Sequence, residues 1–187
     1  MNSRIGLLGG TFDPIHNGHL AIVRSAIQQL NLDKLLIVPA GNPWQKENIT
    51  DKKHRLAMVK AATLGIDKVE VSEIEINKSG PTYTHETLED LHKIYSESDF
   101  ILLLGSDAVA GINTWKEPNK VKTLSRIYVI QRSGDFVQDW QFDHLKMPAI
   151  NLSSTEIRER VSRNESIKEL VPEVVEQYIS TNSLYKN

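Results

Sequence analysis

The chain contains no cysteine. This excludes a disulfide framework, thiolate zinc sites, iron–sulfur clusters and a cysteine nucleophile. Long hydrophobic runs are missing as well: no uninterrupted apolar stretch approaches the roughly 18 residues that a membrane helix requires. The apolar run that follows Met1-Asn2-Ser3-Arg4 ends at Leu8, and Asp13 and Pro14 come soon after. That run is too short for the core of a signal peptide, so the expectation is a cytoplasmic protein without membrane contact. Neither charge dominates, with 22 basic against 24 acidic residues, a net charge of −2 and a pI of about 6.3. A surface that is basic throughout, as a nucleic-acid binder needs, is excluded; a local anion site is not. There is no internal repeat, low-complexity tract or linker-like segment. The 187 residues suffice for one domain with its own core. The expectation is a single domain over 1–187, its C-terminal helical part covering about 153–187.

Short apolar runs alternate with helical periodicity along the chain. Ile5-Gly6-Leu7-Leu8, Leu35-Leu36-Ile37-Val38, Phe100-Ile101-Leu102-Leu103-Leu104 and Ile127-Tyr128-Val129-Ile130 read as buried strands. Val69 and Val71 alternate with polar neighbours as in a half-exposed strand, and Ala149-Ile150-Asn151-Leu152 reads as a short last strand. Helical spacing links Leu20, Val23, Ile27 and Leu30, then Leu56, Val59 and Ala62 behind a capping Asp51, then Leu88 and Leu91 behind a capping Thr84. Ser153 and Glu156 have capping-box spacing ahead of Ile157 and Val161, and Pro172 suits the first turn of a final helix through Ile179. Strand and helix alternate about five times, which predicts an α/β fold: a doubly wound, Rossmann-like parallel sheet with C-terminal helices. Such sheets bind ligands beyond the carboxyl ends of their strands.

The first strand runs out into Gly9-Gly10-Thr11-Phe12-Asp13-Pro14-Ile15-His16-Asn17-Gly18-His19-Leu20. Two glycines at a strand end let a ligand approach the backbone closely. A helix starting near His16 or Gly18 offers free N–H groups and a positive dipole end, and His16 and His19, three apart, share a face. Two imidazoles and a helix N-terminus at the end of a parallel strand describe a phosphate-binding corner. His85, His92 and His144 fit helix-surface or loop positions and receive no role.

That twelve-residue string resembles the N-terminal motif of bacterial nicotinate-nucleotide adenylyltransferases, members of the nucleotidylyltransferase superfamily with its (H/T)xGH motif. Further matches follow in order. Pro39-x-x-x-Pro43-x-x-Lys46 resembles the family's proline-rich loop, and Gly80-Pro81-Thr82-Tyr83-Thr84-x-x-Thr87-Leu88 its Ser-Tyr-Thr-x-Asp-Thr-Leu segment. Leu104-Gly105-Ser106-Asp107 with Trp115 resembles its Gly-x-Asp strand end and tryptophan, and Leu152-Ser153-Ser154-Thr155-Glu156-Ile157-Arg158 its Ile-Ser-Ser-Thr-x-Ile-Arg. The chain departs from the pattern at Trp44-Gln45, where many members have Pro-His, at Glu86, where Asp is usual, and at His54, where an acidic residue is common.

The resemblance implies transfer of AMP from ATP to nicotinate mononucleotide, giving deamido-NAD and pyrophosphate, with Mg2+ carried on the ATP phosphates and no metal site in the protein. It implies catalytic roles for His16, His19, Lys46 and Arg158. ATP contacts would come from Gly9, Gly10, Thr11, Phe12, His16, His19, Gly105, Asp107, Ser153, Ser154, Thr155 and Arg158. Acceptor contacts would come from Lys46, Tyr83, Thr84 and Trp115, while Asp13 and Arg132 have weaker cases. No arginine is clearly placed for the nicotinate carboxylate, which leaves backbone amides. Other readings stay open: nicotinamide mononucleotide or another phosphate acceptor such as phosphopantetheine, a non-catalytic nucleotide sensor, or a metal hydrolase built on Asp13, His16 and His19.

Overall fold

Ile5 to Leu8 and Phe100 to Leu104 are apolar at nearly every position, and in the computed structural model both runs lie at the centre of one parallel sheet. The structure describes residues 2–43, 48–132 and 142–186. Among these, the strands are β1 (Ser3–Gly10), β2 (Lys34–Pro39), β3 (Val69–Val71), β4 (Ser98–Gly105), β5 (Arg126–Arg132) and β6 (Asp143–Ile150). The helices are α1 (Asn17–Gln29), α2 (Lys52–Thr63), α3 (Thr84–Ile94), α4 (Ser106–Ala110), α5 (Pro118–Leu124), α6 (Ser154–Ser162) and α7 (Glu173–Thr181). The sheet order is β3-β2-β1-β4-β5-β6. Strand order reverses between β1 and β4, and a doubly wound sheet opens a ligand crevice at that switch.

Central strands are apolar on both sides because both faces are covered. Leu35, Ile37, Ile101 and Leu103 face a layer containing Leu20 and Val23 of α1, Met58 and Val59 of α2, Ile157 of α6 and Val175 and Ile179 of α7. Leu36, Val38, Phe100, Leu102 and Leu104 face the other layer, with Leu88 and Leu91 of α3, Val109 of α4 and Val121 of α5. The C-terminal helices thus share the core that covers β1, β2 and β4. No helix among the described residues is long and apolar enough to cross a membrane.

Several expectations need correction. The last strand begins at Asp143, not Ala149, because its alternation of polar and apolar residues starts well before the run at 149–152. Tyr83, not Thr84, precedes the first helical residue of α3, and its side chain makes no capping bond. Pro172 stands one position ahead of α7 rather than in its first turn. The buried stripe of α2 is Arg55, Met58, Val59 and Thr63; Leu56 and Ala62 are only partly covered. His85 is 5% exposed, not a surface residue, and His144 lies on β6. The short helices α4 and α5 have no counterpart in the sequence pattern, although Pro118 at the start of α5 is a helix-start residue. Asp51 does cap α2, accepting from the Lys53 amide at 2.7 Å. Only half the capping box forms at α6: Ser153 accepts from the Glu156 amide at 3.1 Å, while the Glu156 carboxylate pairs with Arg160.

Ile157 of α6 has no exposed surface. Ile157→Ala is expected to cost about 2–5 kcal/mol in a single cooperative urea transition, the range for truncating a fully packed isoleucine. A loss under ~1 kcal/mol, or a separate early transition, would show that α6 is not part of the main core.

Candidate functional site

At the end of β1 the backbone turns through Thr11–Ile15 into α1. A Cβ on Gly9 would meet nothing within 4 Å, so that strand end opens directly onto the cavity beside it. A Cβ on Gly10 would stand 2.9 Å from the Phe12 ring, so glycine is needed for that ring to fold back. Phe12 takes a left-handed backbone (φ 50°), an uncommon conformation for a bulky residue, and is 2% exposed. Its ring meets that of His19 edge-on at 5.0 Å between centroids. His16 caps α1, and its ring stacks on that of His19 with centroids 3.7 Å apart. The His16 amide donates to Nδ1 of His19 at 3.2 Å. An accepting Nδ1 carries no proton, so the neutral His19 ring keeps its hydrogen on Nε2.

The facing wall is the start of α6, which is fastened to the same turn. Ser154 Oγ donates to the Pro14 carbonyl at 3.0 Å. Arg158 Nη1 donates to the Asp13 carbonyl at 2.8 Å, and its Nη2 to Thr155 Oγ1 at 3.3 Å. Arg158 therefore lines the cavity while holding the histidine-bearing turn.

A buried cluster supports the turn from behind. Arg55 has no exposed surface. Its Nη1 donates to the Thr11 carbonyl at 2.8 Å, its Nε to the Thr50 carbonyl at 2.9 Å and its Nη2 to the Gly41 carbonyl at 3.3 Å. The Asp13 side chain, 3% exposed, accepts from the Thr50 amide at 3.1 Å and from the Tyr185 hydroxyl at 2.7 Å. Burial lowers the Arg55 pKa, and the Asp13 carboxylate opposes that shift.

One cavity of about 750 Å³ runs from this corner across the tips of β1 and β4 to α3. Pockets for small ligands commonly hold about 300–1,000 Å³. Every expected site residue among the described ones lines it: Gly9 to Phe12, His16 and His19 on one side, Gly105 and Asp107 at the end of β4, Ser153 to Thr155 and Arg158 on α6, and Tyr83, Thr84 and Trp115 at the far end. Lys46 lies outside the described residues. Arg132 is placed by its backbone at the end of β5. Asp13, with the weaker case in the sequence, lines the cavity too.

The sequence pattern overlooks Arg55, Glu75, Lys116 and Tyr185. Glu75 lines the cavity and accepts from Thr82 Oγ1 at 2.7 Å and Thr87 Oγ1 at 2.8 Å. Lys116 Nζ stands 4.2 Å over the Tyr83 ring and 3.4 Å from Glu86 Oε1, placing a cation at the far end. Arg55 was findable, since it lies on the α2 stripe three and four residues ahead of Met58 and Val59. Among the described residues, no group of three or more His, Asp or Glu is gathered to hold a metal ion.

Burial and the Asp13 carboxylate push the Tyr185 phenol above its ordinary value of 10.0, against smaller opposing effects of the Thr50 side chain and Arg158. The fold therefore favours the neutral phenol. That stability is fully present below about pH 10 and is lost as pH rises toward the folded-state value. Between about pH 10 and 11.5 the unfolding free energy should fall more steeply for the wild type than for Tyr185→Phe. Parallel slopes would contradict a buried, neutral Tyr185.

Residues 7–160 match the cytidylyltransferase-like family. A relative from Clavibacter michiganensis named nicotinate-nucleotide adenylyltransferase is 39% identical, with 98% of this chain and 94% of the relative covered. One of the same name from Thermoanaerobacter sp. is 40% identical over 98% and 94%. The solved nicotinic acid mononucleotide adenylyltransferase of Plasmodium falciparum, complexed with NaAD, superposes with a TM-score of 0.83 over 98% of this chain and 97% of that one, at 22% identity, which speaks to the fold. This chain belongs to the cytidylyltransferase-like family and, within it, to the nicotinate-nucleotide adenylyltransferases.

Proposed function

We propose that this chain transfers AMP from ATP to the phosphate of nicotinate mononucleotide, releasing pyrophosphate and forming deamido-NAD. The observation that carries the mechanism is the stacked His16–His19 pair at the start of α1, facing the start of α6 across the switch between β1 and β4. A mononucleotide phosphate oxygen attacks the α-phosphorus of ATP. The bond from that phosphorus to the β-phosphate bridge breaks, and pyrophosphate carries the charge away. The nucleophile is already an oxyanion, so no strong base is required. Rate enhancement comes from alignment and from charge stabilisation.

His19 Nε2–H donates to a phosphate oxygen as negative charge builds on the leaving group, and His16 holds the ring that does so. A helix start contributes about 0.3–1 kcal/mol toward an anion at an exposed site. A donor aimed at developing charge is worth about 3–4 kcal/mol. The histidine contact is thus the larger effect, and the starts of α1 and α6 hold the triphosphate. Mg2+ arrives with ATP as part of the substrate. Gly105 and Asp107 contact the adenosine side. Tyr83, Thr84 and Trp115 hold the pyridine ring, with Lys116 facing its carboxylate, and Lys46 keeps the phosphate role implied by the resemblance. The substrates are metabolites, and the proposed site of action is the cytoplasm.

Pyrophosphate release with ATP and Mg2+ tests the reading, with nicotinate mononucleotide, nicotinamide mononucleotide and phosphopantetheine as separate acceptors. Nicotinate mononucleotide should be used best; no turnover with any acceptor would sink the reaction. His19→Ala should lower kcat by about 10²–10³-fold with little change in acceptor KM. A loss confined to acceptor affinity would show that His19 does not act at the phosphates. Lys116→Met should narrow the preference for nicotinate over nicotinamide mononucleotide; an unchanged ratio would remove Lys116 from acceptor recognition.

A further inference from the structure

We propose that the Tyr185 hydroxyl is a positioning group for the histidine-bearing turn: by holding the Asp13 carboxylate, it keeps that carboxylate from drawing Arg158 away from the phosphate site. The inference rests on the reaction proposed above. Tyr185 stands in the tail after α7, 172 positions from its partner in sequence. Two non-glycine residues of that tail, Ser183 (φ 51°) and Tyr185 (φ 63°), take left-handed backbones as the chain delivers the ring. Leu184 and the Tyr185 ring rest against the core, which would hold the tail without any hydroxyl. The hydroxyl instead reaches a nearly buried carboxylate inside the motif.

Asp13 ties four segments together. One carboxylate oxygen is satisfied by Tyr185 and the other by the Thr50 amide. Its own carbonyl accepts from Arg158 of α6, and three residues later His16 caps α1. Thr50 in turn accepts from Arg55, which also holds Thr11 and Gly41. Without the Tyr185 hydroxyl, one oxygen of a buried carboxylate loses its donor, a costly change. Of the two adjacent cations, Arg55 has its Nε, Nη1 and Nη2 each committed to a backbone carbonyl, whereas the Arg158 guanidinium already donates to the carbonyl of Asp13 itself and can turn to its carboxylate. A shift of the Asp13 side chain toward Arg158 would move both the cation and the turn carrying His16 and His19. Misplacement by about 1 Å is enough to slow an aligned displacement by up to 10²-fold.

The test compares Tyr185→Phe, which keeps the ring, with Tyr178→Phe. The latter removes the Tyr178–His54 hydrogen bond (3.0 Å) between α7 and α2, which involves no residue of the turn, and keeps the Tyr178 ring against the core. Two readouts are taken: kcat for adenylyl transfer at saturating substrates, and the His16 and His19 ring resonances by NMR. Tyr185→Phe should lower kcat about 10-fold, change nicotinate mononucleotide KM less than about two-fold and shift the ring resonances. Tyr178→Phe should lose stability and leave kcat and the resonances as in the wild type. Wild-type kcat and resonances in Tyr185→Phe, or equal kinetic losses in both variants, would overturn the proposal. An inactive wild type would refute the reaction instead, and the resonances alone would then decide whether Tyr185 positions the turn.

Discussion

The Arg55 guanidinium is the contact on which the site depends. It is a cation with no exposed surface, and its donors go to backbone carbonyls of three segments: Thr11 in the motif, Gly41 after β2 and Thr50 ahead of α2. A buried charge is costly unless its hydrogen bonds are met. The arrangement is therefore close to all-or-none: the segments come together around the guanidinium, or the charge is left without partners. The Asp13 carboxylate offsets its charge and extends the cluster to the tail. Three separated stretches of chain thereby acquire one geometry behind the histidines.

On that support the sheet order does the rest. Ending β1 and β4 side by side opens the crevice, α1 and α6 present their starts to it, and α3 closes the far end. The cavity of about 750 Å³ has the stacked imidazoles at its α1 corner and Tyr83 and Trp115 at its far end, the arrangement that the proposed transfer needs. The overall charge of −2 does not oppose this. Residues 67–99 hold nine acidic and three basic residues, so the remainder of the chain is mildly basic and carries most of the proposed phosphate contacts. Glu75 and Glu86, which do line or approach the cavity from that acidic stretch, are engaged by threonine hydroxyls and by Lys116.

Much of this was legible in the chain. Apolar runs at Ile5–Leu8, Leu35–Val38 and Phe100–Leu104 mark strands covered on both faces, and a strand covered that way has few alternatives. The glycine–histidine string and the serine-rich start of α6 are local signals, because the residues that meet the ligand are adjacent in sequence. Glu75 and Tyr185 have no such signature, and Arg55 shows only its place on the α2 stripe. Each acts through partners 5 to 172 positions away, and only the folded chain shows that the partners meet. The other differences have separate origins: α4 and α5 are too short for periodicity to register, whereas β6 alternates polar and apolar residues from Asp143 on, ahead of the apolar run at 149–152.

The central claim is direct transfer, with the histidines as donors to phosphate rather than as carriers of AMP. It is tested by ATP bearing sulfur at the α-phosphorus in one configuration, together with nicotinate mononucleotide. A single in-line displacement inverts that phosphorus, and the account predicts an inverted product. Retention would require two displacements through a covalent AMP–protein intermediate, with His16 or His19 as the nucleophile, and would contradict it.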